Sequence, residues 1–172
     1  FSENISKLGK GQKLININVN IDVLMIDLNG VFHNSAQKAY EYGSYKPQKR
    51  LLGKTKILSG IKTQLKLFQD VCETIESIKE IVNPNKKLIV CVDGPAPLSK
   101  QNQQRQRRFR SALEQGEDPV FNSNCITPGT KFMDHLTKYI DWYLKSKINS
   151  EESWQNIEVV FSNEKACGEG EF

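Results

Sequence analysis

The sequence predicts an α/β fold in which a mainly parallel sheet is flanked by helices. Three short apolar runs, at residues 21–27, 87–92 and 157–162, have the composition of buried strands. Helices are predicted between these runs from residues that recur at helical spacing. Apolar side chains recur in this way at 61–82 and 130–147, and basic side chains at 98–115. Because a helix between two strands is the usual connection of parallel neighbours, we expect the strands to pair in parallel.

The composition is that of a globular domain with a moderately basic surface. The 172 residues suffice for one domain with a core, and 38% of them are hydrophobic. The formal net charge of +4 permits a nucleic-acid partner without requiring one. We find no membrane span, signal-peptide pattern or compact nuclear signal, so an intracellular protein is expected, cytoplasmic rather than nuclear.

The cysteines form no C-x-x-C pair, and we expect reduced thiols rather than zinc ligands or disulfides. No histidine lies in a suggestive position relative to Cys125, so we assign that thiol no catalytic role. The four cysteines are Cys72, Cys91, Cys125 and Cys167.

One stretch, residues 87–110, combines a strand, a turn and a basic helix. Asp93 follows the apolar run, Gly94 to Pro97 form a turn, and a helical pattern begins near Leu98. Lys and Arg supply donors and positive charge, which suits a terminal phosphate. A solvated basic face explains the charges equally well. The residues that share one face of the helix are Lys100, Gln104, Arg107 and Arg108.

Aspartates follow two of the predicted strands. Asp27 ends the first apolar run and Asp93 ends the second, and such strand ends meet at one edge of a parallel sheet. A carboxylate at the end of a buried strand needs a partner, and the pair favours a metal site for phosphodiester chemistry. The alternative is that Asp27 caps a following helix. A short helix is expected at residues 36–42, and a further helix is expected to start at Thr127 and Pro128.

Four segments carry a family resemblance. Residues 93–112, DGPAPLSKQNQQRQRRFRSA, resemble the signature of the XRN family of 5′→3′ exoribonucleases. IDLNGVFHN at 26–34, FNSNCITPGTKFM at 121–133 and GEGE at 168–171 agree with the family in order and spacing. The resemblance implies a fold of the PIN/FEN-like nuclease type. It spans nearly the whole chain but only the opening part of the family's longer catalytic region.

The resemblance also implies a function and a set of site residues. The expected activity is magnesium-dependent (or manganese-dependent) removal of 5′-mononucleotides from single-stranded RNA that bears a 5′-monophosphate. The resemblance implies metal binding by Asp27, Asp93, Glu169 and Glu171, binding of the 5′-phosphate by Lys100, Gln104, Arg107 and Arg108, and stacking of His33 on the first base.

Departures from the family leave two alternatives. Phe172 stands where the family usually has His, and the family's later acidic residues are absent from these 172 residues. We therefore expect the N-terminal portion of a nuclease domain, inactive without the remaining C-terminal part, with an exposed basic loop at 43–60. One alternative is a degenerate nuclease domain that binds RNA 5′ ends or serves in assembly. A flap-type DNA nuclease is less favoured, because it should lack the basic helix.

Overall fold

The computed structural model describes residues 20–45, 60–115, 121–166 and 168 of the chain. Within them, strands β1 (Val23–Asp27), β2 (Lys87–Cys91) and β3 (Glu158–Ser162) form a parallel sheet in the order β1-β2-β3. The predicted α/β fold with a parallel sheet and flanking helices is confirmed.

Five α-helices connect these strands within the described residues. No described helix is long and apolar enough to cross a membrane. The helices are α1 (Asn29–Ala39), α2 (Gly60–Val82), α3 (Leu98–Gln115), α4 (Lys131–Ser150) and α5 (Glu152–Gln155), with short 3-10 turns at Gly43–Tyr45 and Ser123–Cys125.

The register of the sheet aligns the carboxyl ends of the three strands. Asp27 of β1 lies beside Cys91 of β2, and Cys91 lies beside Ser162 of β3. The residues that follow each strand therefore begin at the same edge of the sheet, which is where α/β proteins place their sites.

The core lies on one side of the sheet. Leu88 and Val90 of β2 are fully buried in one cluster with residues of α1, α2, α4 and α5. On the other side, Met25 of β1 is 57% exposed and Val160 of β3 is 36% exposed. The expectation that residues 21–27 and 157–162 are buried strands is therefore wrong for the outward-facing half of their side chains, because in the described part of the chain these two strands lie at the edges and one face is open.

Two helix starts differ from the prediction. Helix α1 begins at Asn29, not at residue 36, and buries Phe32 and Ala36 on one face. Helix α4 begins after Thr130, whose hydroxyl accepts a hydrogen bond from the Met133 backbone N–H at 3.3 Å. Thr130 is therefore the N-cap, and Thr127 belongs to the preceding turn, because the Thr130 backbone N–H donates to the Thr127 carbonyl at 3.2 Å.

Candidate nuclease site

The two strand-end aspartates lie around Cys91. Asp27 is exposed, and its Oδ1 accepts a hydrogen bond from the Asn29 backbone N–H at 2.9 Å. Asp27 therefore contacts the start of α1, as the alternative to a metal-binding role supposed. Asp93 is half-buried two residues beyond β2. Burial raises the pKa of the Cys91 thiol, and the negative charges of Asp27 and Asp93 raise it further, since both carboxylates are near it.

A segment after β3 packs tightly against the backbone next to Asp93. The Gly94 N–H donates to the Gly168 carbonyl at 3.0 Å, and the Gly168 N–H donates to the Pro95 carbonyl at 3.2 Å. A Cβ atom at position 94 would lie 1.5 Å from the Ala166 carbonyl oxygen, so only glycine permits this approach. Glu169 follows Gly168 directly, but Glu169 and Glu171 lie outside the described residues.

Carboxylate oxygens are the ligands that a hard divalent cation such as magnesium prefers. Asp27 and Asp93 fit that chemistry, because both lie at the same edge of the sheet. Only Oδ1 of Asp27 accepts the hydrogen bond from α1, so the other oxygen of this carboxylate is not used by that bond. Two carboxylates are fewer than a metal centre of this kind needs. Within the described residues, no group of three or more His, Cys, Asp or Glu side chains could hold a metal.

Helix α3 carries the predicted phosphate face. Gln104 is half-buried, while Arg107 and Arg108 are exposed. The Arg108 Nη2 donates to the Gln104 Oε1 at 3.1 Å, which orients both side chains one helical turn apart. Lys100 lies one turn earlier on α3 and is exposed.

A cleft of about 390 Å³ brings most of the predicted residues together. Three elements line it: the start of α1, the backbone after β2, and the basic face of α3, with the turn at 123–128 as a fourth wall. Lys100 and Asp27 are not among the lining residues. The predicted residues that line the cleft are His33, Asp93, Gln104, Arg107 and Arg108.

His33 lies in the cleft between α1 and α3. Burial lowers the pKa of His33 below its ordinary value, and the positive charge of Arg107 lowers it further. The imidazole ring has protein atoms close to it, but the side chain lines an open cleft and is exposed to solvent. A neutral imidazole with an accessible face is suited to stacking on a base.

The turn that precedes α4 contributes lining residues, among them Ser123 and Asn124, that belong to the family-like segment 121–133 but were not predicted individually as site residues. The Asn124 side-chain amide donates to the Arg108 carbonyl at 3.5 Å, and the Asn124 N–H donates to the Asn122 Oδ1 at 3.0 Å. Phe121 fixes the start of this turn by stacking on Tyr40 of α1, with ring centroids 4.4 Å apart. Neither residue follows a spacing rule that would mark it in sequence.

Asn29 also lines the cleft and was not predicted as a site residue. Its place two residues after a strand-end aspartate is the one signal that pointed to it.

Burial raises the pKa of the Cys125 thiol to about 11, so the thiol stays protonated at neutral pH. The assignment of no catalytic role to Cys125 stays a prediction.

Comparison with known proteins identifies the family. A family profile described as "XRN 5'-3' exonuclease N-terminus" matches residues 1–119 and 114–172 of the chain. The chain belongs to this family. The XRN resemblance of the four sequence segments is therefore confirmed.

Named members of the XRN family are similar over much of the chain. It is 35% identical over 164 residues to 5'-3' exoribonuclease 1 of Schizosaccharomyces pombe, covering 87% of this chain and 11% of that protein. It is 41% identical over 120 residues to 5'-3' exoribonuclease 1 of Homo sapiens, covering 62% and 7%. It is 33% identical over 177 residues to 5'-3' exoribonuclease 2 of Gallus gallus, covering 89% and 17%. The chain spans less than a fifth of the length of each relative.

Proposed function

We propose that the protein is a metal-dependent 5′→3′ exoribonuclease that acts on single-stranded RNA with a 5′-monophosphate and releases 5′-mononucleotides. The observation that carries the proposal is the cleft in which Asp93 and His33 face the basic side of α3. Membership of a family whose named relatives are 5'-3' exoribonucleases supports it.

The basic face of α3 is the proposed seat of the 5′-phosphate. Arg107 and Arg108 offer planar donors that match phosphate oxygens, and the Gln104 amide adds a neutral donor beside them. Lys100 extends this positive face by one turn along α3. The turn at 123–128 contacts α3 through Asn124, so we expect it to limit the space available to a triphosphate or a cap.

His33 is the proposed partner of the first base. It lines the cleft together with Arg107, and its lowered pKa keeps the ring neutral at physiological pH. A neutral ring stacks on any of the four bases, which suits an enzyme that must accept every sequence.

The carboxylates are proposed to hold Mg²⁺ or Mn²⁺: Asp27 and Asp93 from the strand ends, together with Glu169 and Glu171. A bound cation of this kind lowers the pKa of water and offsets charge on a phosphodiester. In the hydrolysis, the water oxygen bonds to phosphorus, the P–O3′ bond breaks, and O3′ takes up a proton. The hydrogen-bonded contact of Gly94 with Gly168 supports a role for the next residue, Glu169, because it fixes the chain beside Asp93.

The remaining C-terminal part of the family's catalytic region is a proposed partner of this chain, since the named relatives are much longer. The test therefore uses the complete gene product. With magnesium, it is given two RNAs of one sequence, one with a 5′-monophosphate and one with a 5′-triphosphate, and nucleotide release is followed. We expect selective decay of the monophosphate RNA.

Matched variants assign the activity to the cleft. Asp93→Asn should abolish nucleotide release, whereas Asp141→Asn, on the surface of α4 with Lys145 as its partner, should leave it unchanged. Arg107→Ala should reduce the preference for the 5′-monophosphate, while Arg105→Ala, on another face of α3, should not. Binding of monophosphate RNA without any decay would replace the proposal with a 5′-end-binding module.

A further inference from the structure

A cluster of aromatic rings outside the cleft holds the start of the turn at 121–128. The Phe121 ring stacks on Tyr40 at the end of α1, with ring centroids 4.4 Å apart and ring planes inclined by 26°. Tyr42 and Phe132 contact the same ring, with centroids 6.1 Å and 5.7 Å away. Phe121 is not among the residues that line the cleft, so these ring contacts fix the turn itself.

The same turn is joined to the helix on the other side of the cleft. Asn124, three residues after Phe121, donates its side-chain amide to the Arg108 carbonyl of α3 at 3.5 Å. Residues 121–128, which we call the bridging turn, therefore connect the end of α1 to the basic helix. Most of them also form one wall of the cleft.

Each helix that the bridging turn connects carries predicted site residues. His33 belongs to α1, and Tyr40 follows it by seven residues, so two helical turns place both on the same side of α1. Arg107 and Arg108 belong to α3, and none of the side chains described on α3 is buried. The distance between the two helices therefore depends on the bridging turn, because α3 has little packing of its own to fix it.

We propose that Phe121 is a positioning residue that determines the size of the 5′ end that the cleft accepts. The inference rests on the proposed function, because it takes the 5′-phosphate to lie against α3. The ring contacts of Phe121 leave the bridging turn little freedom to move, so its wall stays close to the two arginines of the cleft. A monophosphate fits between that wall and α3, whereas the two further phosphates of a triphosphate need space that the wall occupies.

Loss of the ring should relax this selection. Phe121→Leu keeps an apolar side chain but removes the stack on Tyr40. Relative to RNA with a 5′-hydroxyl, we expect decay of 5′-monophosphate RNA to fall and decay of 5′-triphosphate RNA to rise. The ratio of kcat/KM for the monophosphate to that for the triphosphate should fall roughly three- to tenfold, the factor that one stacked ring pair supplies. Phe121→Tyr retains the ring and should restore the ratio.

The test uses the complete gene product with magnesium and three RNAs of one sequence, which bear a 5′-hydroxyl, a 5′-monophosphate or a 5′-triphosphate. Phe161→Leu is the matched control and should preserve the ratio, because it makes the same change at a half-buried phenylalanine of β3 that packs against the core. Tyr40→Leu removes the stack from the α1 side and should act like Phe121→Leu. The two changes together should lower the ratio no further than either alone, since they remove one contact.

Each outcome decides the inference. An unchanged ratio in Phe121→Leu and Tyr40→Leu would overturn it. An equal fall for all three RNAs would also overturn it, since the ring would then serve stability alone. If Phe121→Leu does not fold, Tyr40→Leu decides against the same control.

Affinities for the three RNAs are measured in parallel without divalent metal. Failure of the unaltered protein to degrade RNA would remove the proposed function. In that case the ratio of the affinities for monophosphate and triphosphate RNA still decides the role of Phe121, because it should fall in Phe121→Leu and stay unchanged in Phe161→Leu.

Discussion

At the scale of single residues, His33 lies in the cleft between α1 and the basic face of α3. It belongs to α1, while the positive charge that lowers its pKa belongs to Arg107 of α3. Its presence was expected from the family motif, since a histidine follows the strand-end aspartate by six residues. Its closeness to Arg107 was not expected, because the two residues are far apart in sequence and meet only through the fold.

We predict that His33 titrates below its ordinary pKa of 6.5 in the folded protein. In the unfolded chain the proton is taken up first as pH falls through about 6.5, so this residue makes stability fall at acidic pH and has no effect at higher pH. Arg107→Ala should raise the pKa only partway, because burial is the larger cause of the shift. An NMR titration of the imidazole signals measures this.

The control for this titration is Arg105→Ala, which removes an arginine from α3 that does not line the cleft. It should leave the His33 titration as it is. The chain has only two histidines, so His135→Gln assigns the signals. An unchanged His33 pKa in Arg107→Ala would mean that the guanidinium does not act on the ring.

At the scale of elements, the main contact of α3 with the other described elements is the turn at Ser123–Cys125. None of the side chains described on α3 is buried, and Leu98 and Phe109 are 84% and 69% exposed. The turn contacts α3 through Asn124. Thr130 at the start of α4 holds the other end of the turn, because its hydroxyl donates to the Cys125 carbonyl at 2.6 Å. A phosphate face on a helix with so few contacts depends on that turn for its position.

Asn124→Ala is therefore expected to weaken recognition of the 5′-phosphate. The lost hydrogen bond to the Arg108 carbonyl is of the order of 1 kcal/mol, or about fivefold in affinity. The measurement compares two oligonucleotides of one sequence, one with a 5′-phosphate and one with a 5′-hydroxyl. We expect the affinity ratio between them to fall while binding of the hydroxyl form is unchanged.

Asn102→Ala is the control for the turn, because Asn102 is exposed on α3 and does not line the cleft. It should preserve the ratio. Equal loss of affinity for both oligonucleotides in Asn124→Ala would contradict a positioning role and indicate direct contact with the RNA chain or a wider structural change.

The elements differ in how well the sequence predicted them. Helix α3 has its predicted bounds, since Pro95 and Pro97 prevent an earlier start. Helix α1 was largely missed, because its buried residues Phe32 and Ala36 are interrupted by the polar Ser35, and Gly30 weakens the helical signal. The charged residues of the cleft were predicted individually. Asn29 and Asn124 were marked only by their segments, because their place in the cleft depends on how α1 and the turn at 123–128 pack. The metal-binding role of the strand-end aspartates stays a prediction.

At the scale of the whole molecule, the described residues leave the sheet with one covered face and one open face. Parallel sheets are usually covered on both sides, so their strands are rich in apolar residues throughout. Sequence alone predicted β1 and β3 as buried for this reason. In the structure, Met25, Ile89 and Val160 lie in register across the open face, and Met25 and Val160 are exposed. The apolar content of a strand does not specify which of its faces a helix covers.

This asymmetry predicts different costs for the same substitution on neighbouring strands. Val90→Ala removes two methyl groups from a fully buried position, and we expect a loss of roughly 2 to 3 kcal/mol in the free energy of unfolding. Val160→Ala makes the same change where the side chain is 36% exposed, and the loss should stay below about 1 kcal/mol. Denaturant unfolding of both variants measures the difference. Equal losses would mean that the face bearing Val160 is covered in the folded protein, since an exposed methyl group leaves little contact to lose.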